Sequence, residues 1–245
     1  MKKAFLFLCF FAAICLSASL AAPLSLNEVI KNLQSNQSKI KDMYAETKTT
    51  ITSNMVMPGQ ETKGPQKMVQ KGKMWTKGES KSKIVMLSPM KQTTVTNGDK
   101  MAIINPETGQ KMVQDLKRLK GQGTGGKGQE SMSLEKAKEF FDLSVAEKDG
   151  GYVITGVPKK DNKFLGKMQF FVDPTKWVPV KIVMYDAKGK PMSQSEIEYK
   201  KVSDIWVPEK NKSLVTTPMG KMEVEMEFSN IKVNKGISDG EFKVE

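Results

Sequence analysis

The 245-residue sequence predicts a mainly β fold of the α+β class, in which one strongly curved or closed antiparallel sheet is accompanied by a few helices. Three observations point there. Between Met43 and Val233, apolar and polar residues alternate in short runs. Those runs are cut by turn dipeptides such as Asn97-Gly98, Asp173-Pro174 and Lys188-Gly189. Helical spacing of apolar residues is confined to two short stretches.

Residues 1–21 read as a cleaved signal peptide. Lys2 and Lys3 precede an apolar run from Ala4 to Leu16, short of the roughly twenty residues a membrane span needs. Ser19 and Ala21 supply the small side chains that place cleavage after Ala21, leaving residues 22–245 as a single domain. Cys9 and Cys15 depart with the leader, and Ile14 before Cys15 argues against a lipid anchor. The mature chain is therefore expected to be exported, soluble, free of disulfides and held by its core alone.

Helical periodicity in Leu26, Val29, Ile30, Leu33 and Ile40 predicts a helix over 24–40, capped by Ser25 or Asn27. Strands are predicted over 43–51, 66–76, 83–87, 92–96, 100–104 and 111–114, with Pro58-Gly59 as the first turn. Residues 121–130 hold five glycines and no apolar side chain, which reads as a mobile loop. A second helix, capped by Ser133, is expected to set Leu134, Ala137, Phe140 and Phe141 on one face. Strands resume over 152–157, 165–172, 178–185, 192–202, 205–209, 212–217 and 221–233, with Val207-Pro208 read as a break.

Composition removes most chemistry. There is no histidine, and the mature chain has no cysteine, so the usual zinc sets, the Ser-His-Asp triad and Cys-His catalysis are excluded. Glu223, Glu225 and Glu227 alternate with Met222, Val224, Met226 and Phe228, as on a solvated strand face rather than in a carboxylate pair. Residues 121–128 nearly form a phosphate-binding loop, but Gly128 stands where the magnesium-binding hydroxyl is needed. No catalytic residue, metal or cofactor is expected, and the chain reads as a non-enzyme.

Losing Lys2 and Lys3 takes the formal charge from +12 to +10, carried almost wholly by lysine, with Arg118 the single arginine. That pattern lacks the forked donors and interleaved aromatics of a nucleic-acid reader and suits anionic membrane surfaces or acidic partners. Methionine is abundant, with sixteen after Met1, and many sit at alternating strand positions. It is flexible and polarizable, so surfaces rich in it adapt to ligands of varied shape. A sheet of ten or more strands with one apolar face and only two modest helices leaves room for a cavity.

In its order of elements and local motifs the chain resembles the LolA-like periplasmic lipoprotein carriers and their outer-membrane acceptor LolB. The motifs are Ile40-Lys41-Asp42-Met43, Lys71-Gly72-Lys73-Met74-Trp75, the run from Thr96 through Asn97-Gly98-Asp99-Lys100 to Asn105-Pro106, and Asp204-Ile205-Trp206-Val207-Pro208. The resemblance implies an incomplete β-barrel, lidded by helices, whose concave apolar face holds the acyl chains of a lipoprotein or another lipid. It also implies a monomer that works in the periplasm, touches membranes transiently and exchanges cargo with an inner-membrane release complex and an outer-membrane acceptor. The cavity lining expected from alternation is Met168, Phe170, Val172, Val180, Ile182, Met184, Ile197, Tyr199, Met222, Val224, Met226 and Phe228. A carrier of this kind has an arginine in its early strands that latches the lid, whereas residues 66–83 here hold only lysines. The other reading is a sensor that uses the same half-barrel to detect mislocalised lipoproteins and relay to a partner.

Overall fold

The computed structural model describes residues 24–54, 64–117, 134–160, 162–217 and 219–244. The signal peptide, the turn at Pro58-Gly59, the glycine-rich segment 121–130 and the Ser133 cap lie outside the described residues.

Helix α1 spans Leu26–Gln37. Its start follows from a capping box: the Glu28 amide donates to the Ser25 hydroxyl, and the Glu28 carboxylate accepts from the Ser25 amide at 2.8 Å. The Ser25 hydroxyl, which donates to the Glu28 carboxylate at 2.6 Å, and then the Ser25 amide hold the Glu28 carboxyl below its ordinary range. The apolar stripe buries Val29 against Ile154 and Val172, with Leu26, Ile30 and Leu33 packed around them. At the far end Asn36 clamps one residue of the sheet, donating to the Trp206 carbonyl at 2.9 Å and accepting from its amide at 3.1 Å.

The first half of the sheet is β1 (Asp42–Ser53), β2 (Gln66–Lys77), β3 (Lys81–Ser88), β4 (Gln92–Asn97), β5 (Lys100–Ile104) and β6 (Lys111–Asp115). After helix α2 (Leu134–Phe140) follow β7 (Phe141–Lys148), β8 (Gly151–Pro158), β9 (Lys167–Asp173), β10 (Val178–Tyr185), β11 (Pro191–Val202), β12 (Ile205–Thr217) and β13 (Gly220–Val233). The order is β6-β5-β4-β3-β2-β1-β13-β12-β11-β10-β9-β8-β7, with antiparallel neighbours throughout. The result is two meanders fused at one long-range pairing, β1 with β13, in which Met43 faces Val233 and Ser53 faces Met222. The curved sheet is an open half-barrel with α1 packed on one face over β8 and β9, and its edge strands β6 and β7 do not close on each other.

Two elements differ from expectation. β12 runs unbroken through Pro208, which pairs with Tyr199 beside a bulge whose extra residue is Glu209. Phe141 opens a strand instead of completing the α2 face, and Phe140 is exposed. β7 was not foreseen as a strand, although Phe141, Leu143 and Val145 alternate with polar residues.

Register divides the sheet into an α1 face and an opposite face. On the opposite face lysines and glutamates form ladders: Lys210 Nζ lies 2.6 Å from Glu225, and Lys48 Nζ lies 3.4 Å from Glu227. This is the solvated face expected for Glu223, Glu225 and Glu227. A 3-10 turn at Asp239–Phe242 folds back on the same side, burying Phe242 and Val244 against Val95 and Ala102.

Candidate functional site: the helix-bearing face

The α1 face can be followed as register rows. One row runs Met68, Ile51, Val224, Ser213, Ser195, Ile182, Phe170, Ile154 and Val145. The next, nearer one end of the strands, runs Gln66, Ser53, Met222, Val215, Ser193, Met184, Met168, Gly156 and Leu143. On the other side of the first lie Gln70, Thr49, Met226, Asn211 and Ile197, and beyond them Gly72, Thr47 and Phe228. The first half of the sheet continues the face through Met74, Ile84, Thr94, Ile103 and Met112.

These rows gather methionine. Met43, Met68, Met74, Met86, Met101, Met112, Met168, Met184, Met222 and Met226 all share the α1 face, whereas Met192 is the extra residue of a bulge between Pro191 and Ser193 and joins no row. Gly72 on this face has no room for a side chain, since a Cβ would stand 2.7 Å from the Val85 carbonyl oxygen.

Of the twelve residues expected to line a cavity, eleven fall on this face. Val180 does not join a row: it is the extra residue of a bulge, Pro179 pairing with Val172 and Lys181 with Phe171. Phe170 and Val172 are taken up by packing under α1. The remaining nine are half-buried, the state of apolar side chains on a face that is only partly covered. Burial is graded along the strands. Toward the end where α1 meets Trp206, Met43, Ile205, Val207 and Val233 form a closed cluster. Toward the other end Met68 and Met112 are exposed.

Sequence reasoning missed the polar seam in the middle of this face. The Ser195 and Ser213 hydroxyls lie 2.7 Å apart, and Ser213 donates to the Asn211 side-chain oxygen at 3.3 Å, with Thr49 two strands away. The signal was present in Asn211 and Ser213 alternating with Lys210 and Lys212. A search for apolar lining passed over it.

Tyr199 anchors the seam's edge by donating to the Pro179 carbonyl at 2.9 Å. Burial pushes its phenol up to about 12. A tyrosine ionises near 10 when unfolded, so its contribution is complete below pH 10 and is lost as pH rises through 12. The native chain is expected to lose about 2–3 kcal/mol of stability across that interval, on the strength of ~1.4 kcal/mol per unit. Tyr199→Phe removes this loss; urea denaturation of both chains at pH 9 and 12 measures it.

The lysines of β2 and β3 do not latch a lid. Lys77, Lys81 and Lys83 lie on the opposite face and hold the C-terminal turn: Lys77 and Lys81 each stand 2.9 Å from Asp239, and Lys83 stands 2.7 Å from Glu241. The same face carries a hollow of about 480 Å³ lined by Tyr44, Glu46, Trp75, Asn230 and Lys232. Its groups already serve one another. Glu46 accepts from Tyr44 and Asn230, while Lys83 covers the Trp75 ring and Lys232 the Tyr44 ring.

Comparison with solved structures assigns this architecture. A family protein of the DUF1329 type from Desulfovibrio piger superposes with a TM-score of 0.61 at 14% identity, covering 90% of this chain and 98% of that one. A domain described as an outer membrane lipoprotein-sorting protein, from Vibrio parahaemolyticus, gives 0.58 at 14%, covering 89% and 97%. A LolA superfamily protein from Nitrosomonas europaea gives 0.55 at 12%, covering 90% and 98%. The fold is LolA-like. A family model described as an uncharacterized protein matches residues 130–245, and no curated protein matches the chain.

Proposed function

We propose that this LolA-like chain is a non-enzymatic periplasmic carrier that takes the acyl chains of a lipoprotein, or of another lipid, onto the α1 face and moves them toward the outer membrane. The observation that carries the reading is the methionine-rich face itself. Ile51, Met222, Val224, Met226 and Phe228 are half-buried and Met68 is exposed on the face that α1 only partly covers, so apolar surface remains for a ligand to cover. Each methylene covered contributes about 0.8 kcal/mol, which binds an acyl chain without chemistry. Among the described residues no helix is long and apolar enough to cross a membrane, in keeping with a protein that travels between two of them. The similarity to a lipoprotein-sorting domain supports the cargo class.

The polar seam refines the ligand. The Ser195 and Ser213 hydroxyl protons are spent within the seam, so it is the Asn211 amide N–H that a plain hydrocarbon would leave facing methylenes and that a carbonyl of an acyl ester or amide can meet. Native mass spectrometry of the protein released from the periplasm is expected to show it with acyl-bearing molecules attached. A ligand-free protein that also takes up no lipoprotein from membranes overturns the proposal. Stable capture of one protein partner without any lipid transfer favours a sensor instead.

A further inference from the structure

The two ends of the half-barrel differ in kind. Because neighbouring strands are antiparallel, the β3–β4, β5–β6, β8–β9, β10–β11 and β12–β13 links all stand at one end. The β2–β3, β4–β5, β7–β8, β9–β10 and β11–β12 links stand at the other. The three most exposed large apolar side chains among the described residues are Phe164 at 81%, Met90 at 68% and Met219 at 53%, and all three are in links of the first end. No large apolar side chain is exposed in the links of the second.

Charge follows the same division. Described residues of the first set of links include Lys91, Lys159, Lys160, Lys163, Lys188 and Lys190 against Glu107 and Asp186; Asp161 lies outside the described residues. Glu107 is paired with Lys91 at 3.1 Å, and Asp186 accepts from the backbone amides of Lys188 and Lys190. The second set holds Lys176 against Glu79, Asp99, Asp149 and Asp204. One end is therefore basic with protruding apolar side chains; the other, where Lys39, Lys41 and Lys235 join Lys176, balances its acids, pairs Asp99 with Lys117 and Asp204 with Lys201, and is closed over the cluster of Met43, Ile205, Val207 and Val233.

We propose that the basic end is a docking rim for an anionic lipid bilayer, with Phe164 entering the interface and Lys159, Lys160 and Lys163 beside it meeting lipid phosphates. Apolar side chains held out among lysines are the combination that binds such an interface, where burial and attraction to anionic headgroups add. The features are spread from β3 to β13 along one end of the sheet, which suits a plane better than the groove of a protein partner. The exposed methionines of the α1 face, Met68 and Met112, lie toward this same end, so docking sets the open end of that face against the membrane. The docking inference does not require the carrier reading, and the two can fail separately.

The test uses delipidated mature protein in flotation assays with phosphatidylglycerol–phosphatidylethanolamine vesicles and with phosphatidylcholine vesicles. Binding to the anionic vesicles alone is expected, falling with salt. Replacing Lys159, Lys160 and Lys163 by glutamine is expected to weaken it about a hundredfold, since each basic residue near the surface is worth ~fivefold. The same change at Lys39, Lys41 and Lys235, at the other end, is expected to alter it by less than about threefold. Phe164→Trp is expected to be quenched by bromine-labelled acyl chains. Equal binding to neutral vesicles, an equal loss at the other end, an unquenched tryptophan, or capture of a protein at this rim with no vesicle binding would each overturn the proposal. A chain that docks but never carries lipid removes only the carrier reading.

Discussion

Phe242→Ala is expected to lower the unfolding free energy by about 3–5 kcal/mol, the range for emptying a fully buried phenylalanine site. The residue is 0% exposed and packs with Val95, Ala102 and Val244, although it lies almost at the end of the chain. The polar contacts around it position the turn more than they stabilise it. Asn97 donates to the Phe242 carbonyl at 3.2 Å, and Asp239 and Glu241 pair with three lysines at the surface, where ion pairs are worth little. Lys77 and Lys81 hold the Asp239 carboxyl below its ordinary range, so this contribution exists above the unfolded value near 4 and is lost as pH falls through the lower folded one. Acid therefore loosens the turn slightly, while the alanine variant loosens it fully. Urea titration at neutral pH measures the difference. Because the turn clasps the face opposite α1, acyl binding by the folded fraction is expected to be unchanged.

Where local chemistry decides structure, the sequence was readable. Ser25 and Glu28 announce a helix start, and Asn97-Gly98 announces a hairpin whose flanking residues, Asn97 and Lys100, pair in the structure. Alternation from Met222 to Phe228 separated the two faces of β13 correctly. The pairing of β1 with β13 joins residues nearly two hundred positions apart, and nothing in either segment alone specifies it. Pro208 misled because the strand carries on past it beside a bulge at Glu209. Val180 shows the same difficulty at the site: one extra residue in β10 takes it out of register, and no periodicity in the sequence marks the place. The serines at 195 and 213 were passed over because hydroxyls count as surface in any alternation argument. Their position opposite each other on the α1 face appears only with register.

Met226→Glu is expected to weaken acyl binding by at least about thirtyfold while changing stability by less than about 1 kcal/mol. The side chain is half-buried between Thr49 and Asn211 on neighbouring strands, so a carboxylate there can turn toward water in the empty protein and destabilises it little. With a ligand present the same carboxylate must either lose its hydration or push the chain away. Lifting two or three methylenes off the sheet at about 0.8 kcal/mol each is enough for the stated loss. Glu223→Gln, on the opposite face of the same strand, serves as the matched control and is expected to leave binding intact. Titration of each protein with a fluorescent fatty-acid analogue, alongside urea denaturation, separates binding from folding. Unchanged affinity in the Met226→Glu protein would place the acyl chain elsewhere and remove the α1 face from consideration. A loss in both variants would point instead to the general charge of the sheet. Asn211→Leu extends the same logic. It is expected to weaken an acyl ester several-fold more than a free hydrocarbon, because only the ester has carbonyls for the Asn211 amide N–H to meet.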